Sequence, residues 1–482
     1  MKYDIIVIGG GASGLMAAWS AARKSPGARV CVLEKMPKPA RKIMITGKGR
    51  CNFTNLKDWN AFSAHIRSGS QFLRPAWRSF PPERVIDFFE SAGMPTVVER
   101  GDRAFPSSHR ASDVVDTLVR ECLGAGVKIE TDAEVVSVTA GNVRTVTTDA
   151  AGTAADGIGP YELSSAAVPA ASGKQSSFEV HLSDGTIHKC SRLIIATGGL
   201  SYPGTGSTGD GLKWAEELGH NITPTYPSLT ALVPSGYKEK AAEASLPHHI
   251  PRETPLTETG RKFCGISLKN IGARLMVEDT LAGEEFGDID FTDGGIEGPV
   301  GFQLSRKAVK SMINGSRTVL HLDLKPGVSL TELTGRIKEL WEEIGRDPRS
   351  ARIREKERCR ILLGKLMPWE LIPAFTATHP GIITLERRGR TDTKVWINLV
   401  SIAKGLKDWE FKLDGFVGWE RAVVTAGGVS TDDVISKTLE SRIVPGLYFC
   451  GEALDIDADT GGYNLQLAFC TGFLAGQSAA KS

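Results

Sequence analysis

Short apolar runs and helical stripes alternate along the first 40 residues. The runs at 5–8 and 29–33 end at Gly9 and Glu34, and runs of this length predict buried strands of a parallel sheet. Between them, Leu15, Ala18 and Ala22 recur at helical spacing, which predicts a helix with one apolar face. The order strand, helix, strand predicts an α/β fold at the start of the chain.

The middle of the chain continues this pattern with longer helices. Helices are expected at 80–101 and 112–126, and a pair of strands at 127–139 whose pattern resumes at 178–182. Residues 148–177 are rich in Ala, Gly, Ser and Thr, and this composition predicts a mobile hairpin insertion.

Beyond residue 226 the pattern changes to short strands separated by glycine turns, which predicts an inserted barrel-like domain. Two helical stripes, at 330–344 and 395–406, then predict a small helical domain. Its first helix should begin at the capping box formed by residues 329–332. One strand at 409–419 is expected to return to the barrel. The other barrel strands are expected at 229–233, 268–277, 285–291 and 318–324.

Composition limits the classes of partner. The net charge is only +2, so no basic bias indicates nucleic acid or an anionic membrane. The eight cysteines include no C-x-x-C pair, which fits a reducing cytoplasm and indicates no metal cluster. No apolar run approaches the roughly 18 residues of a membrane span, and the N-terminus lacks the plan of a signal peptide. We therefore expect a cytoplasmic protein that binds neither nucleic acid nor membrane.

The first glycine cluster carries the clearest chemical signal. Gly9, Gly11 and Gly14 follow the first predicted strand and open the first helix, and Glu34 ends the next strand 20 residues after Gly14. This context predicts a dinucleotide site, with the pyrophosphate at the helix N-terminus and the acid on a ribose. An acid at this place favours an unphosphorylated ribose, as in FAD or NAD.

A polar, glycine-bearing loop with four cations follows at 41–55. Such a loop could wrap a long extended cofactor, although a solvated basic loop is an equally weighted alternative on this pattern alone. A second G-x-G-x-x-G, at Gly204, Gly206 and Gly209, does not directly follow a strand. It is therefore not expected to form a separate nicotinamide fold.

The string RKIMITGKGRCNFTN at 41–55 resembles the signature of the YhiN/BaiN type of bacterial FAD-dependent flavoproteins, the aminoacetone-oxidase-like and bile-acid-reductase-like members of the two-dinucleotide-binding-domain superfamily. Three further blocks, at 193–211, 424–429 and 446–466, continue the resemblance. It implies an α/β fold in which a discontinuous Rossmann-like FAD-binding domain carries an inserted β-barrel-like domain and a small helical domain. The expected divisions are 1–225 and 421–482 for the FAD domain, 226–327 and the returning strand 408–420 for the barrel, and 328–407 for the helical domain.

The resemblance also implies the cofactor contacts. Glu452 could bind the ribityl hydroxyls, and a closing helix starting near Asn464 would point its positive N-terminal end at the flavin pyrimidine carbonyls. The residues expected to bind FAD are Gly9, Gly11, Ala12, Ser13, Gly14, Glu34, Lys35, Arg41, Lys42, Thr46, Gly47, Gly49, Arg50, Cys51, Asn52, Val135, Ala196, Thr197, Gly198, Gly199, Gly451, Glu452, Gly462, Asn464, Leu465 and Gln466.

One loop departs from the family pattern. Residues 291–299 resemble a loop in which threonine and histidine are followed by glycine, serine, glycine and proline. Here Asp293 stands for the histidine and Glu297 for the serine. If these positions shape the substrate site, its chemistry differs in this chain; a simple turn is the alternative.

The expected function is an FAD-dependent oxidoreductase that transfers a hydride between flavin N5 and a small organic substrate, with an NAD(P)H-dependent reductase favoured and NAD(P)H as a transient electron donor. The alternatives are an oxygen-dependent amine oxidase of the aminoacetone-oxidase type and a flavin-binding protein without turnover. An RNA-modifying flavoprotein is disfavoured by the near-neutral charge. Candidates for an acid or base are Tyr202, Asp455 and Tyr463; the substrate and oligomeric state stay open.

Overall fold

The computed structural model describes residues 1–141, 177–239, 246–347, 353–388 and 392–481. The expected insertion at 148–177 lies outside these ranges except for its last residue. The helices are α1 Ala12–Lys24, α2 Arg41–Met44, α3 Trp59–Ser63, α4 Ser70–Ser79, α5 Pro82–Ser91, α6 Ala111–Gly124, α7 Asp210–Glu217, α8 Glu258–Phe263, α9 Gly298–Ile313, α10 Leu330–Arg346, α11 Glu355–Leu366, α12 Ile372–Thr378, α13 Leu399–Lys407 and α14 Gly461–Ala479.

The strands are β1 Ile5–Ile8, β2 Val30–Leu33, β3 Thr54–Asn55, β4 Thr96–Glu99, β5 Arg103–Pro106, β6 Lys128–Glu130, β7 Val135–Ala140, β8 Phe178–Leu182, β9 Ile187–Cys190, β10 Arg192–Ile195, β11 Ile222–Ser228, β12 Leu232–Pro234, β13 His249–Ile250, β14 Ser267–Val277, β15 Thr280–Thr292, β16 Gly295–Glu297, β17 Thr318–Asp323, β18 Ile383–Arg388, β19 Asp392–Ile397, β20 Trp409–Val417, β21 Val424–Val429 and β22 Leu447–Phe449.

A five-stranded parallel sheet forms the first layer, in the order β22-β10-β1-β2-β6. Ile5 pairs with Arg192 on one side and with Val30 on the other, and Leu193 pairs with Leu447. Every residue of β1 and β2 is buried, which explains why these strands are continuous apolar runs. The sheet therefore joins the two ends of the chain in one Rossmann-like α/β domain, as predicted.

Helices α1 and α14 pack against each other beneath this sheet, although they lie at opposite ends of the chain. A Cβ on Gly472 would clash with the backbone oxygen of Ser13, and one on Gly476 with that of Ala17. Both glycines are therefore required for the close approach of the two helix backbones.

A second body is a closed six-stranded β-barrel. Its strands follow the order β12-β16-β15-β14-β17-β20, and pairing of β12 with β20 closes the ring. The aromatic side chains of Phe263, Phe291 and Trp409 fill its interior. The barrel predicted from the sequence is confirmed, with β20 as the returning strand.

The segment between β17 and β20 is mainly helical. Ser329 and Glu332 form the predicted capping box at the start of α10. The stripe expected at 395–406 is only partly helical, because Val395 belongs to β19, which pairs with β18. Helix α13 begins after Asn398, whose side chain accepts a hydrogen bond from the Ser401 amide at 2.9 Å.

Two other predictions differ from the structure. The helix expected at 80–101 ends at Ser91, because Gly93 adopts a φ of +85° and β4 follows Pro95. The strand pair expected at 127–139 is divided between two sheets: β6 joins the central parallel sheet, whereas β7 pairs with β8 in a separate antiparallel sheet. Within the described ranges, no helix combines the length and apolar character needed to cross a membrane.

Candidate functional site

A cleft of about 1150 Å³ opens at the carboxyl ends of the parallel strands. The residues at the ends of β1 and β2 and those following β10 form its floor, and the barrel residues 288–302 contribute one wall. Crevices at the carboxyl ends of open parallel sheets are where such folds bind nucleotides. The cleft also receives the start of α14 and the end of β22, so both chain termini build it.

The turn between β1 and α1 is shaped by glycine at the positions where backbone must approach backbone. Gly9 has a φ of +102°, and a Cβ on Gly14 would clash with the Gly9 carbonyl oxygen. Gly11 borders open space, with no atom within 4 Å of the position of a Cβ. It is also the N-cap of α1 without a side-chain cap, so the first amides of this helix are free to meet an anion.

Glu34 lies at the end of β2 and is buried at the edge of the cleft. Its carboxylate accepts hydrogen bonds from the Gly10 amide and the Met36 amide, both at 2.8 Å. Burial raises the pKa of Glu34, while these two hydrogen bonds oppose that shift. The carboxylate is thus held in one orientation by the glycine turn and the Met36 amide.

The polar loop after β2 lines part of the cleft, while Met44 and Ile45 within it are exposed. It forms the short helix α2 and a tight turn at Thr46–Gly49. The Lys42 amine lies in the cleft and donates to Glu452 at 2.9 Å and to Ser201 at 2.7 Å. The other Glu452 oxygen accepts from the Ser201 hydroxyl and the Thr425 amide, each at 2.6 Å. One acid therefore joins four segments of the chain.

The N-terminal end of α14 faces the same cleft. The helix begins at Gly461, three residues before the expected start, and its first turn contains no acidic residue. The Asn464 side chain shapes the preceding loop: it accepts from the Ala458 amide at 3.0 Å and donates to the Ala458 and Thr460 carbonyls. The positive end of the helix dipole is therefore presented to the cleft, where it would favour negative charge.

Most residues expected to bind FAD line this cleft. They are Gly9, Gly11, Ala12, Ser13, Glu34, Lys35, Arg41, Lys42, Thr46, Gly47, Arg50, Asn52, Val135, Ala196, Thr197, Gly198, Gly451, Glu452, Asn464 and Leu465. Gly206, of the second glycine motif, lines it too and borders Glu34. Its neighbours Thr205 and Ser207 line the cleft as well, whereas Gly204 and Gly209 do not.

Six expected residues do not line the cleft: Gly14, Gly49, Cys51, Gly199, Gly462 and Gln466. Burial raises the pKa of the Cys51 thiol to about 12, so this thiol stays protonated. Gln466 accepts from Thr54 at 2.6 Å and donates to the Phe80 carbonyl at 2.8 Å. These contacts attach α14 to β3 and leave Gln466 no free amide atom facing the cleft.

Of the three candidate acids or bases, one lines the cleft and two do not. Tyr202 lines the cleft. Asp455 instead accepts from the Ser68 hydroxyl at 3.0 Å, and Tyr463 is buried with its ring stacked on His65 at 4.4 Å. Among the three, only Tyr202 is placed to meet a bound molecule.

The sequence reasoning missed an arginine beside Tyr202. Arg421 donates to both oxygens of Glu297, to Asp293 at 2.7 Å and to the Thr292 hydroxyl. Asp293 and Glu297 are the two acids at which this chain departs from the family pattern, and Glu297 lines the cleft. The two acids could be seen in the sequence of this loop, but their partner Arg421 lies more than 120 residues away.

A second missed network joins the barrel to the loop before α14. Arg306, on α9, binds both carboxylate oxygens of buried Asp457 at 2.6 and 2.9 Å. Asp459, at the cleft, pairs with Arg67 and with His65. The alternating acids at 455, 457 and 459 were a visible signal for this network. Among the described residues, no group of three or more His, Cys, Asp or Glu side chains is arranged to hold a metal.

This combination of a parallel sheet, an uncapped helix start, a ribose-type acid and a long cleft fits a flavin dinucleotide, and it defines an FAD-dependent oxidoreductase of Rossmann-like fold. The chain belongs to the HI0933-like protein Rossmann domain family, whose model matches residues 3–158 and 160–478.

Two curated relatives match over almost their whole length. The 3-dehydro-bile acid delta(4,6)-reductase of Clostridium scindens is 29% identical, with 98% of each chain covered. The ribosomal RNA dihydrouridine synthase of Escherichia coli is 28% identical, with 100% of this chain and 99% of the relative covered. The structure of a 3-ketosteroid delta1-dehydrogenase from Sterolibacterium denitrificans is 12% identical with a TM-score of 0.46, covering 100% of this chain and 99% of that one.

Proposed function

We propose that this enzyme reduces a carbon–carbon double bond that is conjugated with a carbonyl group. The observation that carries the proposal is the pair of full-length relatives, because both are named for saturating such a bond in otherwise unlike molecules. A steroid ring and a uracil ring share little else. The reaction type is therefore the part of their function that this chain is best placed to share.

FAD, when bound, supplies hydride transfer. On this proposal the α1 start and Glu34 hold its adenosine half, and the Lys42–Glu452 network together with the α14 start holds its flavin half. We further propose NAD(P)H as the electron donor. Among the described residues, the second glycine motif does not directly follow a strand, and its Gly206 lines this same cleft. The donor would therefore enter and leave through this cleft.

A second candidate substrate is uridine within RNA, which would revise the expectation of no nucleic-acid partner. Besides the relative's name, one feature favours it. Exposed Arg41 and Arg103 line the cleft, and the Arg50 guanidinium stacks over Phe105 at 4.5 Å. Arginine planes and aromatic rings are typical platforms for unstacked RNA bases.

The test uses FAD-loaded protein that has been photoreduced without oxygen. It is mixed separately with a 3-oxo-4,6-diene bile acid and with an in vitro ribosomal RNA transcript, and flavin absorbance is followed. Reoxidation by either probe, with the saturated product seen by mass spectrometry, supports the proposal and identifies the substrate class. Reoxidation by oxygen alone, with prior flavin reduction by an amine, would instead indicate the oxidase. If no probe exchanges electrons with the flavin, the remaining alternative is a flavin-binding protein without turnover.

A further inference from the structure

Tyr202 has an unusual backbone for an aromatic residue. Its φ is +53°, in the left-handed region that bulky side chains rarely occupy. Its amide donates to the Trp419 carbonyl at 2.8 Å, and its carbonyl accepts from the Thr205 amide and hydroxyl at 2.8 Å. These bonds hold the strained conformation, and strain held in this way is commonly part of a functional site.

The Tyr202 hydroxyl is free to act on a bound molecule. The side chain is half-buried and lines the cleft, yet within the described part of the chain its hydroxyl makes no hydrogen bond. A phenol is both donor and acceptor, so this group retains its full capacity for a substrate.

Three charged side chains shift the pKa of the Tyr202 phenol. Glu297, Arg421 and Arg252 come from the end of β16, the turn after β20 and the loop after β13. Burial raises the pKa of Tyr202, the Glu297 carboxylate raises it further, and the two arginines lower it. Because Arg421 binds both oxygens of Glu297, the carboxylate and the guanidinium hold each other in place.

We propose that the Tyr202 hydroxyl is the proton donor of the cleft reaction, and that Glu297 and Arg421 are positioning residues that fix the charges near it. The inference rests on the proposed function. Saturating a conjugated double bond consumes one hydride, which bound reduced flavin would supply, and one proton. The hydride adds to one carbon while the π electron pair moves to the other. That carbon takes the proton from Tyr202, and water then returns a proton to the phenolate.

The first test is single-turnover reduction of the bile acid and RNA probes by photoreduced enzyme. Tyr202→Phe is expected to slow substrate reduction by about 100-fold or more, the range that a positioned acid contributes. Tyr226→Phe is the matched control: it removes a hydroxyl from another half-buried tyrosine that does not line the cleft, and it should keep the wild-type rate. Tyr202→His should restore part of the rate with an optimum at lower pH, which a structural role would not produce.

Failures of the two proposals are distinguishable. A wild-type enzyme that reduces neither probe overturns the proposed function, and the donor role with it. If the wild-type enzyme reduces a probe but Tyr202→Phe reduces it equally fast, the donor role alone is overturned. The second test is ultraviolet difference titration of Tyr202, isolated by subtracting Tyr202→Phe. Glu297→Gln should lower the phenol pKa and Arg421→Gln should raise it; an unchanged titration in both variants overturns the positioning role.

Discussion

The Lys42 amine and the Glu452 carboxylate lie 2.9 Å apart in space and 410 residues apart in sequence. Lys42 belongs to the loop after β2, whereas Glu452 follows the last strand of the sheet. The pair therefore connects the first and last segments of the nucleotide-binding domain in the lining of the cleft. Ser201 and Thr425 join the same carboxylate, so an acid expected only to bind cofactor also organises the site.

Replacing this acid should weaken FAD binding. Glu452→Gln removes the charge that holds Lys42 and weakens hydrogen bonds from two other segments. Charged hydrogen bonds contribute about 1.5–3 kcal/mol each, so we expect FAD affinity to fall about 10- to 100-fold, measured by quenching of FAD fluorescence. Glu410→Gln, on an exposed position of β20, is the control and should bind FAD normally. Equal affinities in both variants would contradict the role of Glu452.

Glu34 is expected to matter at the other end of the cofactor. Glu34→Ala should lower FAD affinity by about tenfold or more, since the proposed ribose contact and the hydrogen bond from the Gly10 amide would be lost together. Titration calorimetry with FAD measures the effect. The melting temperature of the cofactor-free variant separates a loss of folding from a loss of binding. Unchanged affinity would rule out the ribose contact.

The glycines between α1 and α14 should tolerate no larger side chain. Gly472→Ala and Gly476→Ala each force a methyl group against the α1 backbone, and overpacking of this kind costs about 1–3 kcal/mol. Gly335→Ala is the matched control, since Gly335 lies in α10 with open space around it and should gain up to about 1 kcal/mol. Urea unfolding compares the three variants; a neutral result at 472 and 476 would show that the helices can separate.

Removing only the Asp457 charge from the buried Asp457–Arg306 ion pair should lower the free energy of unfolding. Asp457→Asn leaves the Arg306 charge without its bidentate partner, and such a change costs about 3–5 kcal/mol. Glu342→Gln, which removes an exposed pair with Arg346, should change stability by less than about 1 kcal/mol. The free energies of unfolding in urea provide the comparison. If both variants lose the same small amount, the barrel is not held by this pair.

Glu130 should make stability depend on pH. Burial alone would raise its pKa, but hydrogen bonds from Lys128 and Tyr3, together with the nearby His188, lower the pKa from 4.5 to about 2. A lowered pKa stabilises the folded state above pH 4.5, and this contribution disappears as the pH falls towards 2. We expect Glu130→Gln to be less stable than wild type by about 1 kcal/mol at pH 7, with the difference shrinking below pH 4.5. Exposed Glu134→Gln should show no such trend.

Most of the fold could be predicted from local sequence patterns. The βαβ unit at the N-terminus, the capping box at Ser329 and the returning barrel strand β20 could all be predicted, because each depends on neighbouring residues or on one glycine turn. Where prediction was wrong, a local pattern was ambiguous. The apolar residues after Ser91 suit a strand as well as a helix, and only pairing with β5 decides between them.

The sequence by itself determined the cofactor class, since the glycine turn, the acid at Glu34 and the family blocks are read along the chain. Only the tertiary structure decided which candidates meet the cleft. It places Tyr202 in the lining of the cleft, whereas Gln466 is bonded to the Phe80 carbonyl and does not line the cleft. It also pairs Arg421 with Glu297 and Arg306 with Asp457. The physical reason is that side-chain charges pair across space between distant segments, and no periodicity along a chain encodes which segments will meet.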